Sequence, residues 1–154
     1  MSASFYIYRT PKGRITIGQC SGAITQLVFG PARLEGVERA CELTNRASSQ
    51  VLEYLAGKRR SFDLPLAAKG TEFQHAVWNE MLNIPYGETR TYGQVAAALG
   101  KPKALQAVGQ ACGRNPIPII VPCHRVVAAG GKLGGYAYGP GIKQFLLDIE
   151  ASNS

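Results

Sequence analysis

Cys123 and His124 stand side by side near the end of the run Asn115-Pro-Ile-Pro-Ile-Ile-Val-Pro-Cys-His-Arg125. A cysteine attacks as its thiolate, and near pH 7 a free cysteine is mostly thiol. A histidine within hydrogen-bond reach, directly or through a water, can take the proton. Neighbouring side chains on an extended chain point to opposite faces. Cys123 and His124 therefore cooperate only across a bend or through a bridging water. The alternative reading is that Cys123 is a small buried hydrophobe and His124 a hydrogen-bonded core residue.

The surrounding elements must hold that thiol still. Pro116, Pro118 and Pro122 each fix φ and disfavour helix in the residue before them. This predicts a stiff, extended, buried strand, with Ile117, Ile119, Ile120 and Val121 supplying the apolar surface. Upstream, Thr71-x-x-Gln74 is a capping box opening a helix with Phe73, Val77, Trp78, Met81 and Leu82 on one stripe, stopped by Pro85. Thr91-x-x-Gln94 is a second capping box, opening a short helix that Gly100 ends. A further helix is predicted from Lys103 to about Cys112, with Pro102 near its first turn and small residues Ala104, Ala107, Gly109 and Ala111 along it. Two short helices joined by a tight turn fit a helix-turn-helix. A final helix carries Ile142, Phe145, Leu146 and Ile149 inward and ends at Glu150.

The first 65 residues read as a small α/β unit. Segments around residues 5–8, 14–17 and 23–29 are β-prone, with turns at Thr10–Gly13 and Ser21-Gly22, and predict an antiparallel sheet. A helix is expected over about Ser48 to Ala56, with Val51, Leu52 and Leu55 on one face and Gly57 closing it. The formal charge of +7 and pI of 9.4 suit a polyanionic partner. No apolar run approaches the ~20 residues that cross a bilayer, and the N-terminus lacks the pattern of a secretory signal. A cytoplasmic location, with Cys20, Cys41, Cys112 and Cys123 reduced, is expected. Two histidines, His75 and His124, and no Cys-x-x-Cys argue against a zinc site, so no metal is expected.

Pro122-Cys-His-Arg-Val-Val127 resembles the active-site signature of the O6-alkylguanine-DNA alkyltransferases, the methylated-DNA–protein-cysteine methyltransferases. The resemblance runs from about Gly70 to Glu150. It includes Gly70-Thr-Glu-Phe-Gln74, Val77-Trp78, Ile84-Pro-Tyr-Gly-Glu88, Thr91-Tyr-Gly-Gln94, Asn115-Pro-Ile-Pro118 and Gly135-Tyr136. It implies an α/β protein with a ribonuclease-H-like domain over residues 1–65 and a DNA-binding, alkyl-accepting domain over residues 70–154. The implied partner is double-stranded DNA carrying O6-alkylguanine, met in the minor groove by a monomer that flips the target nucleotide out and needs no cofactor.

The resemblance also implies roles by position. Cys123 would accept the alkyl group, His124 would act as base through a water, and Glu150 would fix the imidazole tautomer. Asn115 would support the active-site turn, and Tyr92 would give a proton to the leaving guanine. Val126, Tyr136, Ala137 and Tyr138 would line the substrate pocket. Tyr92, Lys101, Lys103, Gln106, Arg114 and Arg125 would contact DNA.

Two positions depart from the family pattern. Gln106 stands where the family has an arginine that fills the hole left by the flipped nucleotide. Unstacking costs a few kcal/mol, so losing that plug implies a flipped population lower by about one to two orders of magnitude. Tyr138 stands where many relatives have glycine, and a phenol there narrows the pocket. The competing function is a module that binds alkylated DNA with little or no transfer.

Overall fold

A computed structural model describes residues 2–154. The chain divides into two compact units, one up to Lys69 and one from Gly70 to Ser154.

In the first unit, β1 (Ala3–Thr10), β2 (Gly13–Cys20) and β3 (Ala23–Phe29) form an antiparallel meander. Ser21 and Gly22 turn between β2 and β3 at φ 53° and 81°, the left-handed pair that a two-residue hairpin loop requires. Gly18 pairs with Gln26 but Gln19 with Ile24, leaving Thr25 as an extra residue. That bulge resets the alternation, and Ile24 and Leu27 both end fully buried.

The sheet is not purely antiparallel. A two-residue strand, β4 (Val37–Glu38), adds parallel to the free edge of β1. Two residues carry too little periodicity to be read from sequence.

The helix of this unit, α1 (Glu42–Leu55), starts six residues before the expected Ser48. Cys41 caps it, and Thr44 Oγ1 accepts from the Cys41 amide at 3.0 Å. The helix buries Ala47, Val51 and Tyr54, whereas Leu52, expected inward, is 38% exposed. Gly57 follows the C-cap at φ 76°.

In the second unit both capping boxes form. Gln74 N–H donates to Thr71 Oγ1 at 3.1 Å, opening α2 (Glu72–Leu82). Gln94 N–H donates to Thr91 Oγ1 at 3.1 Å, opening α3 (Tyr92–Ala98). Just before α3, β5 (Arg90–Thr91) pairs in parallel with β6 (Val126–Val127). The next helix, α4 (Leu105–Gly113), begins two residues later than expected, because residues 102–103 form a turn. Trp78 Nε1 donates to the Ala111 carbonyl at 2.8 Å and ties α2 to α4. The last helix, α5 (Pro140–Asn153), has proline at its first position.

The expected strand over 115–122 is a series of turns instead. Asn115 closes it, donating through Nδ2 to the Val121 carbonyl at 2.8 Å and accepting from the Ile117 amide at 3.0 Å. Ile119 sits at φ 73°, an outlier for a β-branched residue. Local hydrogen bonds coil the segment. Among the described residues no helix is long and apolar enough to cross a membrane.

Candidate active site

Residues 123–125 form one turn of 3₁₀ helix, leading directly into β6. The turn supplies the bend that the Cys-His pair requires. Cys123 is 7% exposed and lies on the wall of a cavity of about 180 Å³. Tyr92, Cys112, Asn115, Tyr136 and Tyr138 share that wall. The space is smaller than the roughly 300–1,000 Å³ of a drug-sized pocket, which suits a single planar base.

Burial pushes the Cys123 thiol above its ordinary value. Hydrogen bonds from Asn115 and Tyr136, and the charge of Lys143, act in the opposite direction. Cys112 is pushed up to about 12, mainly by burial and then by Cys123. Of the two cysteines on the wall, Cys123 has hydrogen bonds that favour its thiolate, whereas the Lys143 charge is what favours that of Cys112.

Behind the thiol is a buried relay. His124 is fully buried, with Nε2 2.7 Å from Glu150 Oε2. Glu150 projects from α5 and is 1% exposed. Its Oε1 also accepts from Arg125 Nε at 2.8 Å and from the Gly87 amide at 3.1 Å, while Oε2 accepts from Arg125 Nη2 at 3.0 Å. Burial lowers the His124 pKa, and the Glu150 hydrogen bond opposes this only in part. The carboxylate already has a bidentate cation, so a protonated imidazole would leave an excess buried charge. His124 is therefore neutral. Facing a carboxylate, Nε2 must carry the proton, and Nδ1 holds the lone pair.

Sequence reading missed Lys143. Its side chain is fully buried, and Nζ donates to the carbonyls of Val126 at 2.7 Å and Gly135 at 3.1 Å. Lys143, Leu146 and Glu150 are the buried face of α5. Their i, i+3, i+7 spacing was the available signal, hidden by the expectation that a helical lysine faces water. Ile142, Phe145 and Ile149, expected inward, are only half-buried, and Glu150 precedes the helix end by one turn.

Profiles of the 6-O-methylguanine DNA methyltransferase family match nearly all of the chain: the DNA binding domain over residues 72–152 and the ribonuclease-like domain over residues 5–68. The chain belongs to this family. A methylated-DNA–protein-cysteine methyltransferase of Methanosarcina acetivorans is 60% identical over 111 residues, 72% of this chain and 71% of that one. The constitutive one of Bacillus subtilis is 44% identical over 150 residues, 92% and 91% of the two chains. The crystal structure of Mycobacterium tuberculosis OGT in complex with DNA superposes with a TM-score of 0.90 at 40% identity, covering 98% and 94%.

Within this methyltransferase fold, the expected site residues separate into groups. Cys123, Asn115, Tyr92, Tyr136, Ala137 and Tyr138 line the cavity. His124 and Glu150 lie behind it in the relay. Val126 is fully buried and off the cavity wall, and its carbonyl accepts from Lys143. Arg125, expected to contact DNA, is 7% exposed, and its third nitrogen, Nη1, donates to the Ile84 carbonyl at 2.8 Å. Lys101, Lys103, Gln106 and Arg114 are exposed on or beside α4. Lys101 Nζ also lies 5.3 Å from the centre of the Phe73 ring.

Burial raises the Tyr92 pKa, with Cys112 and Cys123 adding to it, so its hydroxyl keeps its proton. Gly134 makes room for that ring. At φ 75°, a Cβ there would sit 3.1 Å from Tyr92 Oη.

Proposed function

We propose that the chain is a DNA-repair alkyltransferase that moves the alkyl group of O6-alkylguanine in duplex DNA onto Cys123, once per molecule. The observation that carries this reading is a buried thiol on the wall of a small cavity, backed by a buried histidine hydrogen-bonded to Glu150, which Arg125 clamps in turn.

On this reading, residues 70–154 carry DNA binding and alkyl acceptance, and residues 1–65 form the ribonuclease-H-like domain. The protein works as a cytoplasmic monomer. It meets the minor groove through α3 and α4, with Lys101, Lys103 and Arg114 on phosphates and Gln106 at the base stack. The damaged nucleotide is extruded into the cavity, because O6 cannot be reached inside the stack.

The thiol proton passes through a water to His124 Nδ1. The Cys123 sulfur then attacks the alkyl carbon. The S–C bond forms as the C–O bond breaks, and the released electron pair stays on guanine. Tyr92 Oη supplies the proton that makes guanine neutral, solvent returns one to the tyrosinate, and His124 releases to solvent the one it took. The ammonium of Lys143 stabilises the thiolate before attack. The thioether offers no easy leaving group, so the protein is consumed.

A second reading, recognition of alkylated DNA with little transfer, is favoured by one residue. Gln106 is shorter than an arginine, carries no charge and fills less of the vacated stack. Titration separates the two. Duplex with a single O6-methylguanine is mixed with rising amounts of protein, and the remaining lesion is measured after exhaustive reaction. The repair reading predicts linear loss ending at one lesion per protein molecule. Tight lesion binding with no loss supports the second reading.

A further inference from the structure

We propose that Leu105 is the wedge that opens the DNA base stack in this protein, with Gln106 beside it as a hydrogen-bonding partner for the base left behind. The inference rests on the DNA-alkyltransferase reading and adds a residue beside the plug position.

Leu105 is the first residue of α4 and is 48% exposed. A single exposed leucine is ordinary. This one borders an apolar depression of about 400 Å³ in which Gly93, Gly109, Ala128 and Ala129 are small walls, completed by Thr91, Tyr92 and Gln106. A Cβ added to Gly93 would lie 3.7 Å from Leu105 Cδ2, so the leucine rests over bare backbone at the start of α3. Small walls let a partner come close, and the leucine is the exposed apolar side chain among them, Tyr92 being part-buried. Gln106 lines the same depression.

The depression adjoins the reaction cavity. Tyr92 and Gly109 line both. A group seated against Leu105 is therefore next to the route by which a base would reach Cys123. The electrostatics select the occupant. Residues 89–147 contain no Asp or Glu, while Lys101 and Lys103 are exposed just before α4 and Arg114 just after it. An apolar, carboxylate-free surface flanked by cations fits the minor-groove face of duplex DNA. Proteins that bend DNA from the minor groove insert leucine and similar apolar side chains between base steps. Leucine fills space without a charge, and Gln106 can satisfy the edge of the orphaned base.

Leu105→Ala, Leu105→Met and Gln106→Ala, each beside the parent, test this with two readouts. The first is the fluorescence gain of a duplex with 2-aminopurine beside the lesion, using proteins that also carry Cys123→Ser so that no chemistry intervenes. The second is the ratio of single-turnover rates with O6-methylguanine in duplex and as the free base. The wedge predicts that Leu105→Ala lowers both the fluorescence gain and the duplex-to-free-base ratio by about tenfold. Leu105→Met keeps most of each, and Gln106→Ala loses less than Leu105→Ala. A fluorescence gain in Leu105→Ala equal to the parent overturns the wedge, as does a larger loss in Gln106→Ala. A parent that unstacks the duplex but transfers from neither substrate contradicts the alkyltransferase reading, and the fluorescence series still decides the wedge.

Discussion

Arg125 grips Glu150 with two nitrogens, Nε 2.8 Å from Oε1 and Nη2 3.0 Å from Oε2, on the carboxylate that also meets His124. The pair is buried, and its charges cancel. The imidazole can therefore stay neutral and ready to accept a proton, which a lone buried glutamate would oppose.

The clamp predicts what Arg125 is for. Arg125→Lys cannot reproduce the fork and leaves part of a buried carboxylate unpaired. We expect a loss of about 1–3 kcal/mol in stability by urea denaturation, and slower transfer. In Arg125→Gln, which removes the charge, the salt dependence of binding to undamaged duplex should not change, because the guanidinium faces inward. A reduced salt slope would return Arg125 to the phosphate contacts.

A neutral buried histidine sets a pH dependence. Below the free value of 6.5 the unfolded chain takes up a proton that native His124 resists. The stability from the neutral imidazole is therefore complete above pH 6.5 and falls as pH drops through it. The acid limb of single-turnover transfer should likewise lie below pH 6.5. A limb at or above that value would mean that His124 is protonated in the resting site.

Lys143 places an ammonium in the same buried region as the thiol. Its own pKa is lowered by burial, while Cys123 and Cys112 pull it upward. Lys143→Met should slow modification of Cys123 by a small thiol reagent at neutral pH by about an order of magnitude. It also leaves the Val126 and Gly135 carbonyls without their donor. An unchanged rate would confine Lys143 to tying α5 onto those carbonyls.

Gly134 is required by both conformation and space. Gly134→Ala puts a Cβ at positive φ, 3.1 Å from Tyr92 Oη and 3.3 Å from the Ala128 amide nitrogen. We expect a loss of about 1–3 kcal/mol in stability. Transfer should fall further than stability alone explains, because Tyr92 must shift. Parent-like kinetics would show that Tyr92 tolerates displacement.

The sequence is most legible where the signal is local. Thr71 with Gln74 and Thr91 with Gln94 announce two helix starts, because each box is complete within four residues. Cys41 hides the start of α1, since cysteine is not a usual cap and its partner Thr44 reads as an ordinary helical residue. The three prolines near Cys123 suggest an extended run, but they do not reveal that Asn115 would bond back to Val121 and coil it. Arg125 and Lys143 are the instructive pair. Arg125 reads as a DNA contact and Lys143 gives no reading, yet both are buried by partners outside their own turn: Glu150 and Ile84 for one, Val126 and Gly135 for the other.

The most direct measurement is the fate of the Cys123 sulfur. The protein is mixed with one equivalent of duplex carrying a single O6-methylguanine, digested, and mapped by mass. The account predicts one methyl group on Cys123, none on Cys20, Cys41 or Cys112, and none in Cys123→Ser. Gln106→Arg should be methylated faster, by about tenfold. Lesion duplex that is bound while Cys123 stays unmethylated in both the parent and Gln106→Arg would contradict it.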